Sequence, residues 1–390
     1  MRALLLGLIV VIGLAAGEAG AQALKPAAAP PTLEQAMRDY RRRLEEYERA
    51  RAAFEVKAGP YWKQIEEKRQ ARIARRRNGQ EIAPADYVLT QPPLYDGPPR
   101  PVDPSARPDE RPPDVRYIPV VADFLRNATE HFGFVPQRPD SEIAYKHAYA
   151  RIAAAAGIGK DQAVRIYSFE SGGNGKYDVQ AGLEYERPNA RAVSTALGYN
   201  QLLAANTTSL LAEKGDHFVK VLRQRAEALR DERKGALERK IEILRRMVAF
   251  SRSVPVQWSE HVKLAATPKG LALHALNLDI DTGPLLQTQK LLDSMVHARA
   301  KGIRRPLTAA ELEMMNLTGD GNGFDMISMP LAMRAQVPTS NFFQRGGYER
   351  NPVAIRNNVV EKLLAATDAK MDKEIQLQGA KDLAAAFEGR

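Results

Sequence analysis

An all-α fold is predicted for this sequence on three observations. Apolar residues recur at three- and four-residue steps, which is the period of an amphipathic helix. No series of segments alternates apolar and polar residues as strands would. Glycines fall where the periodic segments stop, as they do at helix ends. Beyond residue 120 the predicted helices are 141–156, 160–170, 200–213, 216–252, 270–276, 283–300, 308–315 and 353–387.

Residues 1–21 have the layout of a secretory signal peptide. Arg2 precedes an apolar run over 3–16, and the small residues at 19–21 supply a cleavage site before Gln22. The apolar run is shorter than an ordinary membrane span, although an uncleaved anchor is the alternative. We therefore expect an exported, periplasmic protein whose mature form has no membrane span.

The chain is basic and has no cysteine. Its 57 Lys and Arg residues oppose 47 Asp and Glu residues, which gives a net charge of +10. An exported protein without disulfides suits a bacterial periplasm. A basic surface can attract nucleic acid, anionic lipid or an anionic wall polymer, and export favours the wall. Basic residues alternate with acidic ones and lack an aromatic platform, so nucleic acid is not an expected partner.

A basic helical region is predicted over residues 22–91. A capping box at 32–35 precedes an amphipathic stripe. Gly59 and Pro60 are expected to end this first helix, and a second follows over 61–77, which makes a helical hairpin. The hairpin is either an arm for an acidic partner or an element whose apolar stripe packs on the main domain.

The remainder of the chain is divided by composition. Residues 92–119 contain ten prolines and are predicted to form an extended linker or a strap over a surface. The main domain is expected over 120–335, with a C-terminal loop and helix over 336–390. The segment 216–252 is interpreted as an inserted, projecting element, either one long helix or a helical hairpin broken at Gly235.

One glutamate, Glu170, stands at the end of a predicted helix, in the stretch SFESGG at 168–173. A carboxyl in the last turn lies at the negative end of the helix dipole, and apolar shielding disfavours its charged form further. Such an acid keeps its proton near neutral pH, as general-acid attack on a glycosidic oxygen requires. A solvated glutamate at a helix end is the alternative, and helix position alone does not decide between them.

Two further motifs give Glu170 a context. Glu170-Ser171-Gly172 matches the ES motif of the lysozyme-like lytic transglycosylases and goose-type lysozymes, which this chain resembles over about 120–330. The stretch ALGYNQLLAANT at 196–207 matches the family's A-x-G-L-M-Q-hydrophobic-x-P-A-T motif. Gly198, Gln201 and Thr207 are at the equivalent places.

The family's third motif, aromatic-Asn-Ala-Gly, has a partial counterpart in EMMNLTGDGNG at 313–323. Asn316 takes the place of the motif's asparagine, but Met315 stands where the aromatic residue usually is. That departure puts the outer substrate wall in doubt. The connection between the first two motifs is also several residues longer than usual, through GLEYERPNAR.

The resemblance implies a lysozyme-like cleft that binds the glycan strands of peptidoglycan. In the family's mechanism Glu170 protonates the oxygen after N-acetylmuramic acid, then takes the proton of the C6 hydroxyl, which gives a 1,6-anhydro product. Ser171, Gly198, Tyr199, Gln201 and Asn316 are the expected substrate-binding residues. Gly198 permits close approach, Gln201 offers an amide to an N-acetyl group, and Tyr199 offers an apolar wall.

A second carboxylate would turn the reaction toward hydrolysis. Glu184, in the extended loop, is the candidate for it, and a solvated loop charge is the alternative. No metal and no cofactor are expected, because the histidines are scattered and the GDGNGFD stretch at 319–325 fits a calcium loop poorly.

The sequence therefore predicts an all-α, lysozyme-like, peptidoglycan-cleaving lytic transglycosylase. A hydrolytic lysozyme is one alternative. Another is a non-catalytic peptidoglycan-binding or scaffold protein that meets an envelope partner through 32–77 or 216–252. Retention of Glu170, Gly198 and Gln201 favours the enzyme, and Met315 favours the scaffold.

Overall fold

The computed structural model describes residues 32–105, 117–183 and 190–389. Within these ranges the chain is helical and contains three isolated β-bridges but no strand, which confirms the all-α prediction. The predicted signal peptide and Glu184 lie outside the described residues. The helices are α1 Leu33–Arg77, α2 Val121–Phe132, α3 Glu142–Ala155, α4 Lys160–Ser171, α5 Ala204–Ala228, α6 Glu232–Ser251, α7 Trp258–Ala265, α8 Pro268–His274, α9 Gly283–Ala300, α10 Ala309–Thr318, α11 Asp320–Ser328, α12 Leu331–Arg334, α13 Arg345–Glu349, α14 Pro352–Arg356, α15 Val360–Glu374 and α16 Gln378–Phe387.

Two compact units make up the chain. Of the described residues, the smaller unit contains 32–50 and 97–105, and its helical part carries exposed ion pairs such as Arg42 with Glu46 at 2.9 Å. Exposed pairs one helical turn apart stabilise a helix by only about 0.3–0.5 kcal/mol each. The larger unit contains the described residues 51–96, 117–183 and 190–389 and every motif described above that the structure covers.

The larger unit has two hydrophobic cores that share one helix. The larger core is built mainly from α1, α3, α4, α10, α15 and α16, and the smaller core from α2, α5, α6 and α8. Helix α9 contributes Leu285 and Leu286 to the smaller core, and Leu291 and Ala298 to the larger. Because α9 contributes buried residues to both cores, it fixes the two groups of helices against each other.

The predicted helical hairpin at the N-terminus is wrong, because α1 continues through Gly59 and Pro60. A proline inside a helix costs about 3 kcal/mol. Beyond Pro60, Trp62 and Ile65 are buried in the larger core, so tertiary packing holds the helix where local preference would end it. The apolar stripe after residue 50 thus packs on the main domain, as one of the two interpretations of this region required.

The prediction of a projecting insertion over 216–252 is also wrong. Helix α5 begins at Ala204 and runs to Ala228, and α6 follows after a three-residue connection, with Gly235 inside α6. The apolar side of this hairpin is buried in the smaller core, so it is a structural pair of helices. The hairpin interpretation itself holds, with its break at 229–231.

The C-terminal region is more extensive than the single helix expected over 353–387. Three helices, α14, α15 and α16, occupy that span, and α15 and α16 pack against α3, α4 and α10. The described part of the proline-rich segment 92–119 has no helix or strand, as its composition predicts. The main domain therefore extends to the C-terminal helices.

Close packing of α5 on α6 depends on Gly215. A β-carbon at Gly215 would lie 2.4 Å from Cγ2 of Val248, whereas one at Gly235 would meet only the end of the Arg239 side chain at 3.5 Å. We expect Gly215→Ala to lower the free energy of unfolding by about 1–3 kcal/mol through overpacking. Gly235→Ala should raise it by up to about 1 kcal/mol through helix propensity. Urea unfolding of both variants measures this, and equal stability of the two would contradict the packing described.

Candidate active site

Helix α4 presents Glu170 at its last turn. Ile166 and Tyr167 bury the inner face of the helix, which ends at Gly172 in the left-handed conformation, with φ 66°. Gly173 also has positive φ, and a β-carbon there would lie 2.5 Å from the carbonyl oxygen of Glu374. The double glycine therefore ends α4 and lets the chain pass close to α15.

Glu170 is half-buried, and its proton is held unusually strongly for a carboxyl. Burial raises the pKa of Glu170 to about 7, while contact with Glu313, the charge of Lys370 and a hydrogen bond from Asn316 act in the opposite direction. The Asn316 Nδ2 donates to Glu170 Oε1 at 2.7 Å. This environment is the one that the helix-end argument predicted for a general acid.

Glu313, on α10, is a second carboxyl that sequence reasoning missed. Its side chain is 0 % exposed, and neither of its oxygens has a hydrogen-bond partner among the N–H and hydroxyl groups of the described chain. Burial and then the neighbouring charge of Glu170 raise the pKa of Glu313 well above its ordinary value. The two carboxyls contact each other and share one site.

A signal for Glu313 was present in the sequence around it. Glu311 occupies the capping-box position of α10, where it accepts from the Thr308 N–H and is paired with Arg305. Glu313 then lies between Leu312 and Met314, in a run that is buried on every side of the helix. An acid inside a helix that is apolar all round is forced into the core.

Lys370, on α15, supplies the positive charge beside the two carboxyls. Its Nζ donates to the Phe169 carbonyl oxygen at 2.8 Å and lies 4.2 Å from the centre of the Phe169 ring. It also lies 3.9 Å from a carboxyl oxygen of Glu374. Helices α4, α10 and α15 pack on one another pairwise, so this cation is held near the carboxyl pair by the fold.

The described parts of the connection between α4 and α5, residues 172–183 and 190–203, carry most of the second motif and are joined by hydrogen bonds of their own. Leu197 and Leu202 exchange two backbone hydrogen bonds at 3.0 Å, and Gln201 between them has a left-handed φ of 44°. Gln201 Nε2 donates to the carbonyl oxygens of Val179 and Gly198, at 3.2 and 2.8 Å. Both amide protons of Gln201 are thus used to shape the loop.

Gly198 permits a close approach of the backbone to the side chain of Gln287, where a close approach to a sugar was expected. It has φ 80°, and a β-carbon there would lie 2.6 Å from Nε2 of Gln287. Gln287 in turn donates to the Leu197 carbonyl oxygen at 3.0 Å and accepts from the Asn200 N–H at 2.8 Å. The glycine therefore lets the loop dock on α9.

The prediction that Tyr199 forms a wall against a sugar is wrong. Tyr199 is 0 % exposed and packs edge-on against Tyr145, Tyr149 and Tyr167, with ring centres 4.6–5.2 Å apart. Its hydroxyl donates to Glu142. Tyr167 lies one turn before Glu170, so Tyr199 instead attaches the second motif to the helix that carries the first.

Ser171 and Asn316 differ in what they offer a ligand. The Ser171 hydroxyl donates to the Tyr167 carbonyl oxygen at 2.6 Å and is engaged within its own helix. Asn316 lines a cleft and at the same time donates to Glu170. Met315, at the motif's aromatic position, is buried in the larger core.

The cleft beside Asn316 has a volume of about 1030 Å³. Its lining includes both exposed apolar side chains and charged ones. The exposed apolar residues are Leu203, Trp258, Val296 and Leu317, and the charged ones are Glu66, Arg69, Glu213, Lys214, Lys290, Asp293 and Asp320. Glu170 itself is not among the residues that line the cleft. It is connected to the cleft through Asn316, whose side chain lines the cleft and donates to the Glu170 carboxyl.

The two aspartates of the GDGNGFD stretch form ion pairs with basic side chains of the protein. Asp320 accepts from Lys290 and Ser294 at 2.9 and 2.6 Å, and Asp325 is paired with Arg76 and Arg72. Among residues 32–105, 117–183 and 190–389, no group of three His, Cys, Asp or Glu residues is arranged to hold a metal ion. In those same ranges no helix is long and apolar enough to cross a membrane.

Comparison with known proteins returns no relative. No family model, no curated protein and no solved structure matches the chain. The likeness to the lytic transglycosylases therefore rests on the motif residues. The described structure brings Glu170 and Asn316 into contact and attaches the loop of Gln201 to the helix of Glu170.

The raised pKa of Glu170 predicts a pH-dependent effect of its removal. The native protein holds this proton up to about pH 7, whereas the unfolded chain releases it near pH 4.5. Native stability is therefore lost as the pH rises through that window. We expect Glu170→Gln to match the wild type at pH 4 and to be more stable by about 1–3 kcal/mol at pH 8, measured by urea unfolding.

Glu311→Gln is the matched control, and it should show the opposite sign. Although burial opposes ionisation of Glu311, Arg305 and the Thr308 N–H hold its pKa below the ordinary value. Its ion pair stabilises the fold at neutral pH and is lost as the pH falls. Glu311→Gln should therefore be less stable than the wild type at pH 8. A Glu170→Gln variant that behaved likewise would refute the raised pKa.

Proposed function

We propose that this protein is a lytic transglycosylase that cleaves the bond between N-acetylmuramic acid and N-acetylglucosamine in peptidoglycan. The observation that carries the proposal is the half-buried Glu170 at the end of α4, with its pKa raised to about 7 and its neighbour Asn316 on a large cleft. A carboxyl poised near neutral pH serves both as an acid and as a base. The motifs around Glu170 and Gln201 supply the substrate class.

The reaction uses one carboxyl twice. Protonated Glu170 gives its proton to the glycosidic oxygen as the bond to C1 of the muramic acid breaks. The C6 hydroxyl of the same sugar attacks C1, and the Glu170 carboxylate takes its proton. Glu170 ends the cycle protonated, and the product carries a 1,6-anhydro ring without any water being consumed.

The position of Glu313 favours this route over hydrolysis. Hydrolases place two carboxyls on either side of the scissile bond, about 5–5.5 Å apart when they retain configuration and about 6.5–9.5 Å apart when they invert it. Glu313 contacts Glu170 directly and is fully buried, so no sugar can lie between them. It cannot act as the second carboxylate. A hydrolytic alternative would rest on Glu184, in the loop outside the described residues.

The composition of the cleft supports a glycan ligand. Sugar rings offer apolar faces bordered by hydroxyl and N-acetyl groups, and the cleft is lined by both exposed apolar side chains and charged ones. Trp258, at the start of α7, is 49 % exposed and is the aromatic residue best placed to stack on a sugar. The net charge of +10 adds long-range attraction to anionic wall polymers.

A second candidate, a non-catalytic peptidoglycan-binding or scaffold protein of the periplasm, is favoured by Met315. This residue is buried in the core at the position where the family has an aromatic substrate contact. An envelope partner would then bind outside the cleft. Of the two segments expected to meet such a partner, 216–252 has its apolar side buried in the smaller core, and 51–77 packs in the larger core. Residues 32–50 are the part that remains for a partner.

Binding in the cleft can be measured through Trp258, because the chain has only two tryptophans and Trp62 is 8 % exposed in the core. We expect chitotetraose to change the fluorescence of the wild type and of Trp62→Phe in a saturable way. Trp258→Phe should lose this response, and Trp258→Ala, which removes the aromatic ring, should bind about tenfold more weakly by calorimetry, since a stacking contact contributes roughly 1–1.5 kcal/mol. A response retained in Trp258→Phe would place the sugar elsewhere.

Cleavage is tested with purified sacculi and mass analysis of the soluble products. The proposed function predicts anhydro-muropeptides from the wild type. Glu170→Gln should reduce turnover by about 10² or more while glycan binding persists, because the amide keeps the shape but delivers no proton. Reducing-end products would indicate a lysozyme, and an unchanged sacculus with retained binding would indicate the scaffold.

A further inference from the structure

The carboxyl of Glu313 has no hydrogen bond of normal geometry within the described chain, although the side chain is fully buried. The Asn316 amide lies near enough to lower the pKa of Glu313, but it donates to Glu170. An unpartnered buried polar group is costly. The group beside it is the Glu170 carboxyl, and two carboxyls form a hydrogen bond only when one of them keeps a proton.

The surroundings of the two carboxyls decide which one keeps that proton. Glu170 is half-buried, whereas Glu313 has no solvent access, and this difference favours the charged form of Glu170. Asn316 donates to Glu170 Oε1 at 2.7 Å and lowers the pKa of both carboxyls. Lys370 faces the pair from α15, and Glu374 offsets part of its charge. Among the described residues, Lys370 is thus the further titratable group that acts on both carboxyls, and Glu374 is in contact with Lys370. Glu313, with no solvent access, is the better place for the proton.

We infer that Glu313 is a positioning residue that stays neutral throughout the reaction and donates a hydrogen bond to Glu170 whenever Glu170 is a carboxylate. This inference rests on the proposed function of Glu170. The proton of Glu313 is never transferred: the proton that Glu170 gives to the leaving oxygen is replaced by the one from the C6 hydroxyl. Glu313 thus stabilises the intermediate charge on Glu170 and is unchanged at the end.

In this arrangement Glu313 acts on the acidity of Glu170 and takes no part in proton transfer itself. Glu313 lies behind Glu170 and is fully buried, so it touches no substrate. Its hydrogen bond makes Glu170 a stronger acid than burial alone would allow, while its lack of charge avoids repulsion between the two. A neutral hydrogen-bond donor of the same shape should therefore replace it, and an apolar residue should not.

The test is a titration of the Glu170 carboxyl in two variants. Carbon-13 NMR of glutamate-labelled protein follows its Cδ resonance, which Glu170→Gln identifies by its disappearance. Glu313→Gln keeps a donor, and we expect its Glu170 midpoint to stay within about half a pH unit of the wild type. Glu313→Met removes the donor, and we expect the midpoint to rise by about one pH unit or more.

Cleavage of sacculi should follow the same order. At neutral pH, Glu313→Gln should retain activity within a fewfold, while Glu313→Met should lose about tenfold or more, with its pH profile moved upward. Chitotetraose affinity should be the same in both variants, since Glu313 does not reach the cleft. Glu311→Gln, on the same helix and two residues earlier, is the control that should leave the Glu170 titration unchanged.

Two results would overturn the inference. If Glu313 is charged, both variants remove a negative neighbour and the Glu170 midpoint falls in both. If Glu313 is only a packing residue, the melting temperature changes but the titration does not. The titration needs no substrate, so its outcome is independent of the proposed function. Absence of glycan cleavage by the wild type would refute the proposed function, and the titration would still test the hydrogen bond from Glu313 to Glu170.

Discussion

The contact between Glu170 and Glu313 is the constraint on which the candidate site depends, because burial and a neighbouring carboxyl both disfavour a second negative charge there. Three helices are arranged around it. Helix α4 ends there, α10 brings the second acid and Asn316, and α15 brings Lys370. An arrangement so unfavourable by itself persists only where the surrounding packing enforces it.

That packing comes from aromatic and glycine contacts near the pair. Tyr199 fills the space between Tyr145, Tyr149 and Tyr167, and so attaches the glycine-rich loop to α4 one turn before Glu170. Buried aromatic pairs of this kind each contribute roughly 0.5–1.5 kcal/mol beyond the area that they bury. The stability needed to hold an uncharged acid near neutral pH is thus supplied by residues that take no part in its chemistry.

The sequence was sufficient for the features that depend on local pattern and insufficient for those that depend on distant neighbours. The helix end near Gly172 follows from periodicity and from the glycines, whereas the catalytic role of Glu170 stays a prediction. Tyr199 was misassigned because its tyrosine neighbours come from two other helices, and Glu313 was missed because burial of α10 on every side is a tertiary property. The helix end expected at Pro60 is wrong for the same reason, because burial of the residues after it outweighs the free-energy cost of a proline inside a helix.

The sharing of α9 by the two cores has a mechanical consequence. Hinge closure needs a few residues between rigid bodies that can absorb a change in backbone angles. Here the same helix is embedded in both bodies, with Leu285 and Leu286 in one and Leu291 and Ala298 in the other. Opening or narrowing the cleft would require bending α9 inside two packed interiors, which resist compression. The packing of α9 therefore fixes the width of the cleft. A ligand that binds there would have to adapt its own conformation to that width.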